Sequence, residues 1–206
     1  MTAHDPRLLV LHGLRLAGFA PAERLGRSTG LGDTVDDVLR AAEAEGLVAE
    51  RTGRISGWTL TAAGRAAHAE LVAAEVTARD ARSAVERADD AFLQLNEPFK
   101  ELCARWQLRP DGSVNDHTDE AYDDAVVADL ELVHGPVVAL TGELAGTLPR
   151  FGRYPRAFTA ARERLRGGDR KAFAAPLSES YHDAWMELHQ DLLVTLGRQR
   201  STADGH

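Results

Sequence analysis

Residues 46–64, GLVAERTGRISGWTLTAAG, constrain the fold more than any other part of the chain, because they convert a helix end into a hairpin and the hairpin into a helix start. Gly46 suits the left-handed backbone on which helices stop. Leu47 and Val48 then open a strand, Arg51-Thr52-Gly53-Arg54 make a polar turn, and Ile55, Trp58 and Leu60 return as a second strand. Thr61 is placed to cap the next helix, whose expected apolar positions include Ala66, Leu71 and Ala74.

The residues before the hairpin read as three helices. The first spans roughly 7–17 and carries Leu8, Leu9, Leu11 and Leu14. Pro21 suits the first turn of a second, which continues through Ala22-Glu23-Arg24-Leu25 and breaks at Thr29-Gly30. Asp33 or Thr34 caps a third, with Val35, Val38, Leu39 and Ala42 as one stripe ending at Gly46. With Glu45-Gly46-Leu47-Val48 at the helix-to-strand step and Leu60-Thr61-Ala62-Ala63-Gly64 at the strand-to-helix step, residues 7 to about 75 resemble the winged helix-turn-helix of MarR-type transcriptional regulators. The resemblance implies an N-terminal DNA-binding domain over 1–76. Similar winged helices also serve as protein-interaction modules, among them ones in actinobacterial chains linked to phosphoenolpyruvate-utilising domains, although no phosphotransfer motif is present here.

Charge complicates the DNA reading. Residues 1–75 hold eight Arg against ten Asp or Glu, and the expected recognition helix region carries Asp33, Asp36, Asp37, Glu43 and Glu45 against one Arg40. Phosphate contacts supply much of the affinity for DNA, so no strong nonspecific binding is expected. Arg51 and Arg54 are the candidates for minor-groove or phosphate contacts, Thr34 and Arg40 for base edges, and Arg27 and Thr29 for the remaining polar contacts. The bland alternative is a solvated hairpin with Arg40 paired to Asp36 or Asp37.

Residues 77–200 read as an all-helical dimerisation or effector domain, an antiparallel bundle that makes the whole chain mainly α. Its expected helices cover about 78–108 with a break or bend at Asn96-Glu97-Pro98, 118–148 with Pro136 inside, 155–166, and 176–196. Residues 109–115 are turn formers, and 201–206 read as a disordered tail. An acidic block at 111–131 and a basic block at 150–171 are expected to compensate each other, with Phe151, Tyr154 and Phe158 anchoring a corner; the basic block also suits an anionic ligand. Leu165-Arg166-Gly167-Gly168-Asp169, Ala172-Phe173 and His182 resemble, over a short span, the end of the helical effector domain of FadR-type regulators.

The last helix is richest in candidate ligand residues. One stripe holds Leu177, Tyr181, Ala184, Leu188 and Leu192, a second His182, Met186, His189 and Leu193, and Trp185 lies between them. His134, Tyr181, His182, Trp185 and His189 are the candidate ligand-binding set, against the simpler reading of satisfied structural histidines. Glu131-x-x-His134 and Glu179-x-x-His182 match helical di-iron spacing, but such triplets arise by chance in a chain this rich in Glu and His. No nucleophile elbow, phosphate-binding glycine loop or zinc-finger spacing occurs, so catalysis, cofactor and metal are not expected. The lone Cys103 reads as a buried reduced thiol. No apolar run of about 20 residues is evident. The expectation is a cytoplasmic, homodimeric regulator that binds double-stranded DNA, answers to a small-molecule effector and avoids membranes. The alternatives are a winged-helix interaction module and, third, a small metal- or His-dependent helical enzyme.

Overall fold

A computed structural model describes residues 5–198; the tail expected at 201–206 lies outside them. The protein is mainly α, with one two-stranded antiparallel sheet. The chain divides into two compact units that meet in sequence at Arg82 and Ser83.

The first unit runs α1 (Pro6–Ala17), α2 (Ala22–Thr29), α3 (Val35–Ala44), β1 (Val48–Arg51), β2 (Gly57–Leu60) and α4 (Ala62–Ala78), the order of a winged helix. Pro6 sits in the first turn of α1, where its missing N–H is harmless, and the Asp5 side chain accepts from the amide of Arg7. Gly30 at φ 75° ends α2, and a 3₁₀ turn, Gly32–Thr34, leads into α3. Gly46 at φ 74° ends the third helix: its amide and that of Leu47 donate to the carbonyls of Glu43 and Ala42, a Schellman closure. Thr61 accepts from the Gly64 amide at 3.0 Å and donates to the carbonyl of Gly46, tying the start of α4 to the end of α3. Gly64 is required there, since a Cβ would fall 1.8 Å from the carbonyl oxygen of Leu47.

Four details differ from the sequence reading. Ile55 is not in a strand; it is 66% exposed in the loop between β1 and β2. The sheet gains a short third edge where Ala20 and Trp58 exchange backbone bonds. The buried face of α4 is Gly64, His68, Val72 and Val76, so Ala66 and Ala74 face solvent. Thr34 precedes α3 but gives it no side-chain cap, because its hydroxyl donates to the carbonyl of Leu31. Val10, Leu11, Leu14, Leu25, Val35, Leu39, Trp58 and Leu60 form the core.

The second unit contains α5 (Arg82–Gln107), α6 (Glu120–Asp129), α7 (Glu131–Thr147), α8 (Arg153–Arg166), the short α9 (Lys171–Ala174) and α10 (Tyr181–Thr195). α5 continues through Pro98 instead of breaking. α10 starts at the Ser180 capping box, later than the expected 176, and Leu177 is 85% exposed, outside the stripe assigned to it. α10 lies centrally and antiparallel to two neighbours: Phe92 meets His189 and Phe99 meets Tyr181 on α5, while Tyr154 reaches Asp191 and Phe158 meets Tyr181 on α8. Among the described residues one stretch, Glu120–Thr147, is long and apolar enough to cross a membrane by length and composition, contrary to the expectation that no such run exists. Its acids Asp123 and Glu131 are ion-paired to Arg170, Arg162 and Arg166 of the same unit.

Candidate functional sites

On the winged-helix face the candidate DNA-binding residues divide into engaged and exposed. Arg40 pairs not with Asp36 or Asp37 but with Glu43 at 3.0 Å and Glu50 at 2.9 Å, and lies 4.9 Å from the centre of the Trp58 ring. Its hydrogen bonds to Glu50 and then Glu43 raise the proton affinity of its guanidinium. Glu50 belongs to β1, so Arg40 clips the third helix to the wing. Arg27 pairs with Glu23, and the Thr29 hydroxyl donates to the carbonyl of Leu25. Arg51 and Arg54 are exposed at and beyond the end of β1 and make no ion pair among the described residues. Asp33, Asp36 and Asp37 are exposed at the approach to the third helix and in its first turn.

The five candidate ligand residues of the helical unit lie in or against one packed aromatic column. Trp185 stacks on Phe99 at 4.1 Å and donates its indole N–H to Asn96 at 3.0 Å. Tyr181 lies between Phe99 and Phe158, with its hydroxyl 3.4 Å from Nδ1 of His134. His182 stacks on Phe99, and His189 packs at a tilt against Phe92. Burial pushes the Tyr181 phenol up and the His134 imidazolium down, the latter helped by Arg162. Glu131, the carboxylate of the first di-iron-like triplet, is bound by Arg162 through two hydrogen bonds and by Arg166 through one. Among the described residues no group of three or more His, Cys, Asp or Glu is arranged to hold a metal ion. The Cys103 thiol is pushed up to about 12 by burial.

A second polar cluster, absent from the sequence reading, lies where α5 ends and α6 begins. Asp123 is buried on α6 and accepts from Asn115 Nδ2 at 2.8 Å, from His117 Nδ1 at 3.0 Å and from Arg170 Nε at 3.2 Å. Asn115 also donates to the carbonyl of Trp106 and accepts from the backbone amide of His117. Trp106 carries His117 against its ring at 4.5 Å, and Phe173 also stacks on it at 4.5 Å. A carboxylate only accepts, so His117 Nδ1 holds the proton and, in the neutral ring, Nε2 is an acceptor. The backbone of His117 is left-handed, φ 61°, a conformation uncommon outside glycine though His adopts it more readily than most residues. Trp106, Glu120, Asp123, Asp124, Val127, Leu165, Gly168 and Arg170 line a cleft of about 370 Å³. The readable signal was Asp123, which shares a stripe with Val126, Leu130 and Val133; an acid on a buried stripe needs partners.

The acidic and basic blocks do pair, through Arg162 and Arg166 to Glu131 and through Arg170 to Asp123. The aromatics of the basic block are buried, and Tyr154 and Phe158 pack within the bundle. No family model matches the chain, and neither a curated protein nor a solved structure shows significant similarity to it.

Proposed function

We propose that this protein is a cytoplasmic, homodimeric transcriptional regulator of the MarR-like winged-helix type, in which residues 5–82 engage double-stranded DNA and the helical unit dimerises and senses a small molecule. The observation that carries the reading is the complete winged-helix order with Arg51 and Arg54 exposed at the wing. Two exposed cations at the wing suit a phosphate backbone. Exposed ion pairs are weak, so DNA phosphate can exchange with Glu43 and Glu50 for Arg40. Ligand binding in the helical unit then alters the separation of two winged helices and their fit to paired half-sites.

A mobility-shift titration on DNA from upstream of the protein's own gene tests this. Binding is expected to weaken with salt, and Arg51→Ala/Arg54→Ala is expected to reduce the salt slope by about two. Absence of any shift at low salt overturns the reading. The second reading, a protein-interaction module, is favoured by Asp33, Asp36 and Asp37, which present carboxylates where phosphates would approach. A stoichiometric complex with one identified protein, lost in Asp36→Asn/Asp37→Asn and formed without DNA, supports that reading instead.

A further inference from the structure

We propose that the solvent-facing side of α7 is the surface on which two copies of this chain meet, the two helices crossing antiparallel about a two-fold axis at Ala139. The inference rests on the proposed function only in taking the helical unit as the dimerising one, and it assigns the residues. One side of α7, with Val133, Val137, Thr141 and Leu144, is buried in the bundle. The other is exposed: Leu132, Gly135, Pro136, Ala139, Gly142, Glu143 and Gly146 recur at the three- and four-residue spacing of a single helix face. Leu132 alone is 72% exposed. Within Glu120–Thr147 the most apolar 18-residue stretch has a mean hydropathy of 1.4, yet only 33% of it is buried. The helix therefore carries more apolar surface than its own unit covers, which is the mark of an interaction face.

Shape and charge both point to a copy of the same face as the partner. Glycine is disfavoured inside a helix, and a Cβ at Gly135, Gly142 or Gly146 would meet nothing within 4 Å, so the bundle itself does not require these three. An antiparallel copy centred on Ala139 brings each of them level with a larger residue: Gly146 with Leu132, Gly142 with Pro136 and Gly135 with Glu143, since the members of each pair lie equally far from Ala139 in sequence. A two-fold interface must be complementary to itself, and this face is. Glu143 is the only charge on the exposed side of α7, and it forms no ion pair among the described residues. In the antiparallel register it comes level with the copy's Gly135, one turn from Glu131, where Arg162 and Arg166 bring two cations to one carboxylate. That excess positive charge receives the Glu143 carboxylate. A parallel copy would set the two Glu143 carboxylates level with each other, which like charge opposes.

Sedimentation velocity of the full chain, without DNA, is the first test. A dimer is expected, and Ala139→Arg, which opposes two cations at the axis from an exposed position, is expected to weaken it about a hundredfold with unchanged far-UV circular dichroism. Cross-linking reads the register. In a Cys103→Ala background, Ala139→Cys is expected to form a disulfide with its own copy under mild oxidation. Leu132→Cys is expected to cross-link to Gly146→Cys when the two variants are mixed, and poorly to itself. A chain that stays monomeric, with or without lipid vesicles, a dimer that Ala139→Arg leaves intact, or Leu132→Cys joining itself ahead of Gly146→Cys would each overturn the proposal. A dimer held by another surface would remove this inference and leave the proposed function standing, whereas a failed mobility shift with the expected cross-links would do the reverse.

Discussion

Two of the buried carboxylates in the helical unit, Asp191 and Asp123, have opposite surroundings. Asp191 on α10 is 1% exposed and meets Arg150 at 2.5 Å, the Tyr154 hydroxyl at 2.8 Å and, at 3.1 Å, the Thr195 hydroxyl, which itself accepts from Arg150 at 2.6 Å. Asp123 is 5% exposed, but two of its partners, His117 and Arg170, reach toward solvent beside a cleft. The first cluster joins the 3₁₀ turn Pro149–Gly152 to α10 across buried surface, where Phe151 and Tyr154 close over it. The second joins a loop, α6 and a turn at the unit's edge. A sealed ion cluster fixes how helices register; one that borders a cavity retains groups that can exchange protons and partners.

The largest expected effect therefore belongs to Asp191→Ala. Removing it strands the Arg150 charge in a dry interior, and denaturant unfolding should show a loss of about 3–5 kcal/mol. The paired replacement Arg150→Met/Asp191→Leu, which removes both charges, should recover most of that loss, because well-packed apolar substitutes for a buried pair are often neutral. If the double variant is as unstable as the single, the cluster holds more than its ion pair. Burial opposes the charge of Arg153, yet Tyr154, Glu187 and Asp191 raise its proton affinity overall, and burial pushes the Tyr154 phenol well up; both groups keep their protons at working pH.

Asp123→Ala should cost less, about 1–3 kcal/mol by the same measurement, since the partners it abandons can be rehydrated from the cleft. Its distinctive signature is in the imidazole. Without a carboxylate on Nδ1, the His117 tautomer is no longer fixed, and nitrogen-detected NMR should show exchange between the Nδ1–H and Nε2–H forms. A loss as large as that of Asp191→Ala, with the tautomer unchanged, would erase the distinction between the clusters.

How much of this was legible in the sequence depended on the range of the interactions. Gly46, Thr61 and Gly64 act on neighbours a few residues away, so the helix-to-strand and strand-to-helix steps could be read locally. The histidine stripe of α10 was also local, but what faces it was not: Phe92 and Phe99 come from distant sequence and fill the space a cavity would need. The Asp123 cluster was missed for the converse reason. Residues 109–115 look like solvent-facing turn formers until Trp106 and Asp123 bury Asn115 between them. Arg40 escaped its expected helical partners because Glu50, across the hairpin entry, offers a better position.

The smallest effect sharpens the comparison from a third position, His134. Its imidazolium is disfavoured mainly by burial and secondarily by Arg162, so the folded protein takes up this proton less readily than the unfolded chain does. With the folded value depressed, the contribution of His134 is fully present above the unfolded value of about 6.5 and is lost as pH falls from there toward the folded value. Unfolding free energy measured across that window should decline with acidification, and His134→Phe should flatten the slope while imposing a pH-independent penalty from the Tyr181 hydroxyl it leaves without a partner on that side. Glu131 and Asp169, held below the ordinary carboxylate range by hydrogen bonds from Arg162 and Arg164, contribute at lower pH and do not mask it. A variant whose slope matches the parent's would mean that His134 takes its proton without opening the bundle.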